Sequence, residues 1–269
     1  MKVTVCMITY NHEHFIVQAI ESAISQQADF DIELLIFDDH SSDRTFAIAQ
    51  EYQARYPEKI KAFRNETNLG ANRNFTQAFF NCEGDYVALL EGDDYWTDEE
   101  KLRRQVDFLE AHPDHTFSFH LTRCFHEDGS GNYLMPSSIK AEYALADLLD
   151  KNFIGTCSIV LRNHVLEKFP DWFGSLKMLD WPLLAVYAQR GKYGIIPLEM
   201  GRYRIHGGGS HSSRSLKERI GYSIAALEFF LKNLDLTPLE RAIVWRRVVK
   251  CHLNIWKETA KDRLGKVKI

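Results

Sequence analysis

Three carboxylates fall within four residues in the run Glu91-Gly-Asp-Asp-Tyr-Trp96, directly after the apolar stretch Asp85-Tyr-Val-Ala-Leu-Leu90. Carboxylates this close repel one another and resist desolvation, so a cluster at a strand end is costly unless a cation sits there. A divalent metal is the simplest such cation. Oxygen ligands suit magnesium or manganese, and both ions keep open positions that substrate phosphates can fill. The residue types therefore predict a Mn2+ or Mg2+ site that works on a phosphorylated ligand.

Such a cluster needs a rigid frame, and the surrounding periodicity predicts one. Apolar runs of strand length occur at Val3–Thr9, Ile32–Phe37, Ile60–Phe63 and Tyr86–Leu90. Helical spacing separates them at 14–26, at 43–56 with Ser42 as cap, and at 72–82 after the turn Asn68-Leu-Gly70. This alternation predicts an α/β fold, a Rossmann-like, mainly parallel sheet with helices on both faces, where ligands bind at the carboxyl ends of the strands. Further on, Thr97-Asp-Glu-Glu100 reads as a capping box opening a helix to Ala111, and Phe117–Phe125 and Cys157–Leu161 as strands. Helices are expected over 142–151 and 179–189, with a loop tip at Asp128–Gly131 between the strands. The glycine-rich stretch Arg204–Ser212 reads as a loop, and two helices, broken near Thr237-Pro238, follow from Leu216.

The 269-residue chain is 45% hydrophobic, enough for one substantial core. No apolar run approaches the ~20 residues that span a bilayer, and the N-terminus is too strand-like for a signal peptide, so a cytoplasmic location is expected. Five scattered cysteines with no C-x-x-C pair predict free thiols. Charge is unevenly divided. Residues 214–269 carry about +7 and the first 213 about −11. A basic helical end can lie on an anionic membrane or bind a phosphorylated acceptor; a solvated helix face is the alternative. Nucleic-acid binding is disfavoured, since the body is acidic and has no basic stripe interleaved with aromatics.

Several motifs, in order, resemble the family 2 glycosyltransferases of the GT-A fold. They are Ile8-Thr-Tyr-Asn-His12, Phe37-Asp-Asp-His-Ser-Ser-Asp43, Asn68-Leu-Gly-Ala-Asn-Arg-Asn74, Glu91-Gly-Asp-Asp94, Asp180, and Tyr203-Arg-Ile-His206. The resemblance covers about residues 2–212. It implies a glycosyltransferase domain over 1–212 and a basic helical extension over 213–269. A processive synthase is not expected, because the Gln-x-x-Arg-Trp signature is absent; the nearest stretch is Ala188-Gln-Arg-Gly191.

The resemblance also implies roles. Asp39 accepts the N3 hydrogen of uracil, with an Asx-turn alongside Asp38 as the other reading. Thr9 and Tyr10 meet the base, while Asn11, Asp38 and Asn68 belong to the same donor-binding loops. Arg73 neutralises diphosphate or holds Asp39, or is a surface arginine. Asp93 and Asp94 take the place of the family's Asp-x-Asp motif as metal ligands, with Glu91 lengthening the first arm by one methylene. His206 supplies another metal ligand or a phosphate contact, and Arg204 beside it, like Glu91 and Asp93, contacts the nucleotide sugar. Asp180 is the catalytic base that takes a proton from the acceptor hydroxyl, and before Trp-Pro182 it is also a good helix cap. Acceptor recognition is less legible. Trp96, Trp172, Phe173 and Trp181 can stack on sugars or fill the core, and His120 and His126 read as packing or surface residues.

The expected activity is inverting transfer of one sugar from a nucleotide diphosphate sugar, a UDP-sugar for choice, to the hydroxyl of a glycan or lipid-linked glycan. Expected partners are that donor, that acceptor and the inner membrane face. Two alternatives stand beside it: a silent scaffold that binds nucleotide sugar or glycan, and a sugar nucleotidyltransferase. The second needs an early glycine-rich phosphate loop, and Val3–Phe15 contains no glycine.

Overall fold

The computed structural model describes residues 1–166, 173, 176, 178–209 and 213–265, and side chains as far as residue 260. The first half follows the periodicity: β1 (Lys2–Thr9), α1 (Ile16–Ile24), β2 (Asp31–Asp38), α2 (Thr45–Arg55), β3 (Ile60–Arg64), α3 (Ala71–Phe80) and β4 (Tyr86–Glu91). These four strands pair in parallel in the order β3-β2-β1-β4. β1 is central because both its faces are apolar. Val3, Val5 and Met7 pack with Ile16, Ala19 and Ile20 on one side, while Cys6 packs with Phe75, Ala78 and Phe79 on the other. Burying each large apolar side chain contributes about 1.5–3 kcal/mol. The chain steps from β1 to β2 on one side and returns through α3 to β4 on the other, so connections diverge at the carboxyl end of β1.

The second half is mixed. A short β5 (Tyr95–Trp96) precedes α4 (Lys101–Ala111), and β6 (His115–His126) forms a hairpin with β7 (Asn132–Met135). After α5 (Leu145–Asp150) come a 3-10 turn at Thr156–Ser158 and β8 (Val160–Arg162), which pairs antiparallel with both β4 and β6. α6 (Asp180–Ala188) leads into β9 (Lys192–Ile205), parallel to β6 and antiparallel to β5. The full order is β3-β2-β1-β4-β8-β6-β9-β5, with β7 on β6.

Several local expectations need correction. Ser42 does not cap α2: Asp43 Oδ1 accepts from Thr45 N at 2.9 Å, while Ser42 N donates to Asn11 Oδ1 at 2.8 Å. Thr97 opens no helix, because Asp98 turns the chain by accepting from Glu100 N at 2.8 Å and α4 starts at Lys101. Cys157 and Ser158 are in the 3-10 turn rather than the strand. The long strand β9 has no counterpart in the periodicity, and it contains Arg204 and Ile205, so the glycine-rich loop begins only after them.

The two last helices, α7 (Leu216–Asn233) and α8 (Pro238–Gly265), form as expected. Each opens with a reciprocal cap. Ser215 pairs with Glu218, and Glu240 N donates to Thr237 Oγ1 while Glu240 Oε2 accepts from Thr237 N. Pro238 suits a first helical position. Leu227, Phe230, Val244 and Val248 share one apolar cluster with Trp181 of α6 and Phe117 of β6. All five cysteines are free and buried. Among the described residues no helix is long and apolar enough to cross a membrane.

Candidate donor site at the strand ends

The ends of β1, β2 and β4 bring the first three motifs together. Gly92 N donates to Ile8 O at 3.0 Å and Asp39 N to Thr9 O at 2.9 Å, so the acidic turn and the Asp39 loop both hang on the end of β1. The glycine in the acidic motif is required by space: a Cβ at Gly92 would lie 2.6 Å from Thr9 Oγ1 and 3.0 Å from His12 Nδ1. Thr9 Oγ1 is itself 3.2 Å from His12 Nδ1 and steadies the imidazole.

His12, Asp93 and His206 form the centre. Their candidate ligand atoms lie within 4.8 Å of one another. Asp93 Oδ2 is 3.0 Å from His206 Nε2 and 3.7 Å from His12 Nε2. Desolvation raises the Asp93 carboxyl, but His12 and His206 outweigh it and hold the group below its usual range. Burial lowers His12, against the attraction of Asp93, which leaves the neutral imidazole a metal requires. His206 reaches the centre from the end of β9, its ring edge-on to Phe15 at 4.8 Å between centroids. Two imidazoles and a carboxylate fit a divalent cation, and imidazole tilts the set from magnesium toward manganese or another transition metal.

The expected ligand Asp94 is placed apart from this centre. Its side chain is buried, Oδ1 accepts from Arg204 N at 2.8 Å, and Oδ2 has no oxygen or nitrogen donor. Burial, then the negative charges of Asp93 and Glu91, push its carboxyl well above the usual range. Glu91 is half-buried and is pushed to about 8 by desolvation, Asp93 and Asp180. Tyr203 lies in the field of Glu91, Asp94, Asp93 and Asp180, although burial is the main reason its hydroxyl is raised.

Arg204 is also placed differently from the expectation that it contacts the donor. It is buried, and its guanidinium donates to both carboxylate oxygens of Glu127 at 2.6 and 2.8 Å, to Gln18 Oε1 at 2.8 Å and to Asp93 O at 2.9 Å. It also lies 4.6 Å from the Phe15 ring centroid and 5.0 Å from that of Phe125. These bonds take four of its five N–H donors, so Arg204 braces the turn behind Asp93.

The base-side residues form a second cluster. Asp39 Oδ1 accepts from Asn65 Nδ2 and Leu69 N, and Oδ2 from Gly70 N, all at 2.8 Å. A carboxylate has about four acceptor positions, so one remains on Oδ2. Asn68 Nδ2 donates to Asp39 O at 3.2 Å and its Oδ1 accepts from Gly70 N at 3.1 Å. Asp38 turns inward, where it accepts from Ser41 N and Oγ and faces Arg64 Nε at 3.5 Å. Burial raises its carboxyl in spite of these partners. Asn11 adopts φ 54°, which asparagine tolerates, and receives Ser42 N on Oδ1. Asp38 and Asn11 thus tie loops together, whereas Tyr10 is 45% exposed and Arg73 is also exposed.

Asp180 begins α6, and Asn152 Nδ2 donates to its Oδ2 at 2.6 Å. Leu179, not Asp180, occupies the cap position, so Asn152 rather than capping orients the carboxylate. Trp96 and Trp181 are core: their indole nitrogens donate to Cys157 O and Leu148 O. Phe173 and His120 are buried as well. Trp172 and Ser210–Ser212 of the glycine-rich stretch lie outside the described residues.

The sheet thus has a parallel first half, at whose strand ends acidic and histidine side chains gather, and a mixed second half that brings His206 to them. The chain belongs to glycosyl transferase family 2, whose model matches residues 4–169. An uncharacterised protein of Mycobacterium tuberculosis is 36% identical over 229 residues, 83% of this chain; the chain spans 66% of that relative's length. Among solved structures, S. aureus TarS 1-349 in complex with UDP-GlcNAc superposes with a TM-score of 0.71 at 21% identity, over 94% of this chain and 73% of that one. The mannosyltransferase PcManGT from Pyrobaculum calidifontis, in complex with GDP-Man and Mn2+, gives 0.69 at 14% identity, over 99% and 75%. At these identities the structural likeness shows the GT-A fold.

Proposed function

We propose that this chain is a metal-dependent inverting glycosyltransferase that moves one sugar from a nucleotide diphosphate donor to an acceptor hydroxyl, in the assembly of a surface polysaccharide or a related glycan. The observation that carries the reading is the convergence of His12, Asp93 and His206 at the end of β1, beside the Asp39 cluster, with Asp180 close enough to act on the neighbouring Glu91.

In this reading Asp39 accepts the base's N–H through its remaining Oδ2 position, Thr9, Tyr10, Asn68 and Arg73 line the donor side, and His12, Asp93 and His206 would hold a divalent cation such as manganese. A bound divalent cation stabilises the charge that builds on the departing diphosphate. Asp180, steadied by Asn152, takes the proton from the acceptor hydroxyl as it attacks the anomeric carbon. The donor preference follows from the base side: a carboxylate accepts from uracil N3–H, which favours a UDP-sugar, and the UDP-GlcNAc bound by TarS supports this, while the GDP-Man of PcManGT keeps guanine as the rival. Residues 1–212 would carry the chemistry and 213–269 would hold the enzyme at the cytoplasmic membrane face, near a lipid-linked acceptor.

Thermal stabilisation by UDP, GDP, CDP and TDP, each with and without manganese, tests the donor class. A ligand at ~100 times its dissociation constant adds ~2.7 kcal/mol of stability. Metal-dependent stabilisation by UDP is the expected result. Stabilisation by GDP alone moves the donor to a GDP-sugar, and a folded protein that answers to no nucleotide is better read as a silent scaffold.

A further inference from the structure

α8 has three faces. Val244, Val248 and Cys251 point into the core that α8 shares with α7. Trp245, Val249, Leu253 and Trp256, spaced four, four and three residues apart, fall on one adjoining stripe at helical period and are 57, 53, 53 and 68% exposed. Next to that stripe the same spacing sets Arg246, Lys250 and Lys257 in a row, all exposed. The acidic residues Glu240 and Glu258 fall on the core side at the same period, so from 238 to 260 no carboxylate interrupts the exposed arc.

Two exposed tryptophans on one stripe are costly in water, and a core helix does not need them. Their arrangement matches an interfacial helix: an apolar stripe that enters the acyl boundary, tryptophan at headgroup depth, and a row of cations alongside. The charge selects the occupant. A second copy of this arc would bring like charges together, whereas an anionic lipid surface complements both rows at once. Arg246 is 3.1 Å from Asp150 and so partly engaged, which leaves Lys250 and Lys257 as the principal contacts.

We infer that the outer arc of α8, built on Trp245, Val249, Leu253 and Trp256 with Lys250 and Lys257 beside them, is a docking surface for the anionic phospholipid face of a membrane. This deepens the reading of the chain as a transferase acting on a lipid-linked acceptor, since it names the surface that would hold the enzyme there. It lies outside the donor site, so the two can fail separately.

The experiment is flotation of the full chain with phosphatidylcholine vesicles, with and without phosphatidylglycerol, at low and high salt. Uridine diphosphate binding is measured on the same proteins. Wild type is expected to float with phosphatidylglycerol vesicles, to be released by salt, and to ignore pure phosphatidylcholine. Removing each lysine charge, as Lys250→Gln or Lys257→Gln, should weaken partitioning by about fivefold. A Trp245→Ala/Trp256→Ala variant should lose it, with unchanged melting temperature because both side chains are exposed. The inference is overturned if wild type stays unbound, if the variants float as wild type does, or if the tryptophan pair instead abolishes a dimer seen by sedimentation velocity without vesicle binding. Flotation without uridine diphosphate binding would leave the docking surface standing and count against the UDP-sugar donor alone.

Discussion

His206 Nε2 and Asp93 Oδ2 face each other at 3.0 Å across 113 residues of chain. One comes from the turn after β4 and the other from the end of β9, so the two halves of the sheet meet in the proposed metal site. The backing of that contact is specific: Arg204, two residues before His206, donates to the carbonyl of Asp93.

The brace predicts a stability defect. Arg204→Met leaves Glu127, Gln18 and the Asp93 carbonyl without their shared donor, and breaking a buried charged pair costs about 3–5 kcal/mol, toward the lower end here because Glu127 is 41% exposed. Denaturant midpoints at constant slope would show it. If Arg204 instead served only the diphosphate, the variant would keep its stability and lose only nucleotide affinity.

Asp39→Asn places an amide where a carboxylate accepts three bonds. Whichever way the amide lies, one of the Asn65, Leu69 or Gly70 donors meets a donor, so a loss of about 1–3 kcal/mol is expected, together with loss of UDP binding. A variant with weakened stability but intact UDP affinity would remove Asp39 from base recognition.

Asp180→Asn keeps the shape of the group that Asn152 orients, but it cannot take a proton. Transfer should fall by about 100- to 10,000-fold while UDP affinity and melting temperature stay near wild type. Transfer at the wild-type rate would move the base elsewhere, with Glu91 the first residue to examine.

His120 makes stability depend on pH. It is fully buried, Nδ1 lies 2.9 Å from Leu121 O, and burial, helped by Lys101, lowers its pKa from 6.5 to about 3. Because the folded value is depressed, the unfolded chain binds the proton first. Stability is therefore full above about 6.5 and is lost as pH falls toward 3, by about 2 kcal/mol on reaching pH 5. His120→Asn should flatten that part of the curve, measured by denaturation at pH 7.5 and 5, after allowance for its own lower baseline.

Much of this was readable from sequence, and the failures have physical causes. β1, β2, β4 and the helices between them declared themselves because each buries one uninterrupted or periodic apolar set. β9 did not. Gly194, Pro197 and Gly201 punctuate it as turn residues would, and its pairing with β6 shifts register around His120–Thr122, where such residues are tolerated. The site was legible as a place but less so as a ligand set. Asp93 and Asp94 look equivalent in the chain, yet successive side chains leave the backbone in different directions, and only Asp93 faces His12 and His206. His12 closes the first motif, and nothing in its spacing singles it out as a ligand. Gly92 held the available signal, since a glycine wedged between Thr9 and His12 leaves their side chains room to meet the acidic turn. Arg204 misled because a buried guanidinium with internal partners and one aimed at a phosphate look alike in sequence.

The most direct test is a calorimetric titration of manganese into the protein with UDP present, using wild type, His12→Ala and Asp94→Asn. Loss of a metal ligand should cost more than the ~10- to 100-fold typical of residues that merely support one, so His12→Ala should bind manganese more than about 100-fold more weakly, while Asp94→Asn should bind it as wild type does. The reverse pattern, with His12→Ala binding normally and Asp94→Asn not at all, would contradict the assignment of the centre to His12, Asp93 and His206.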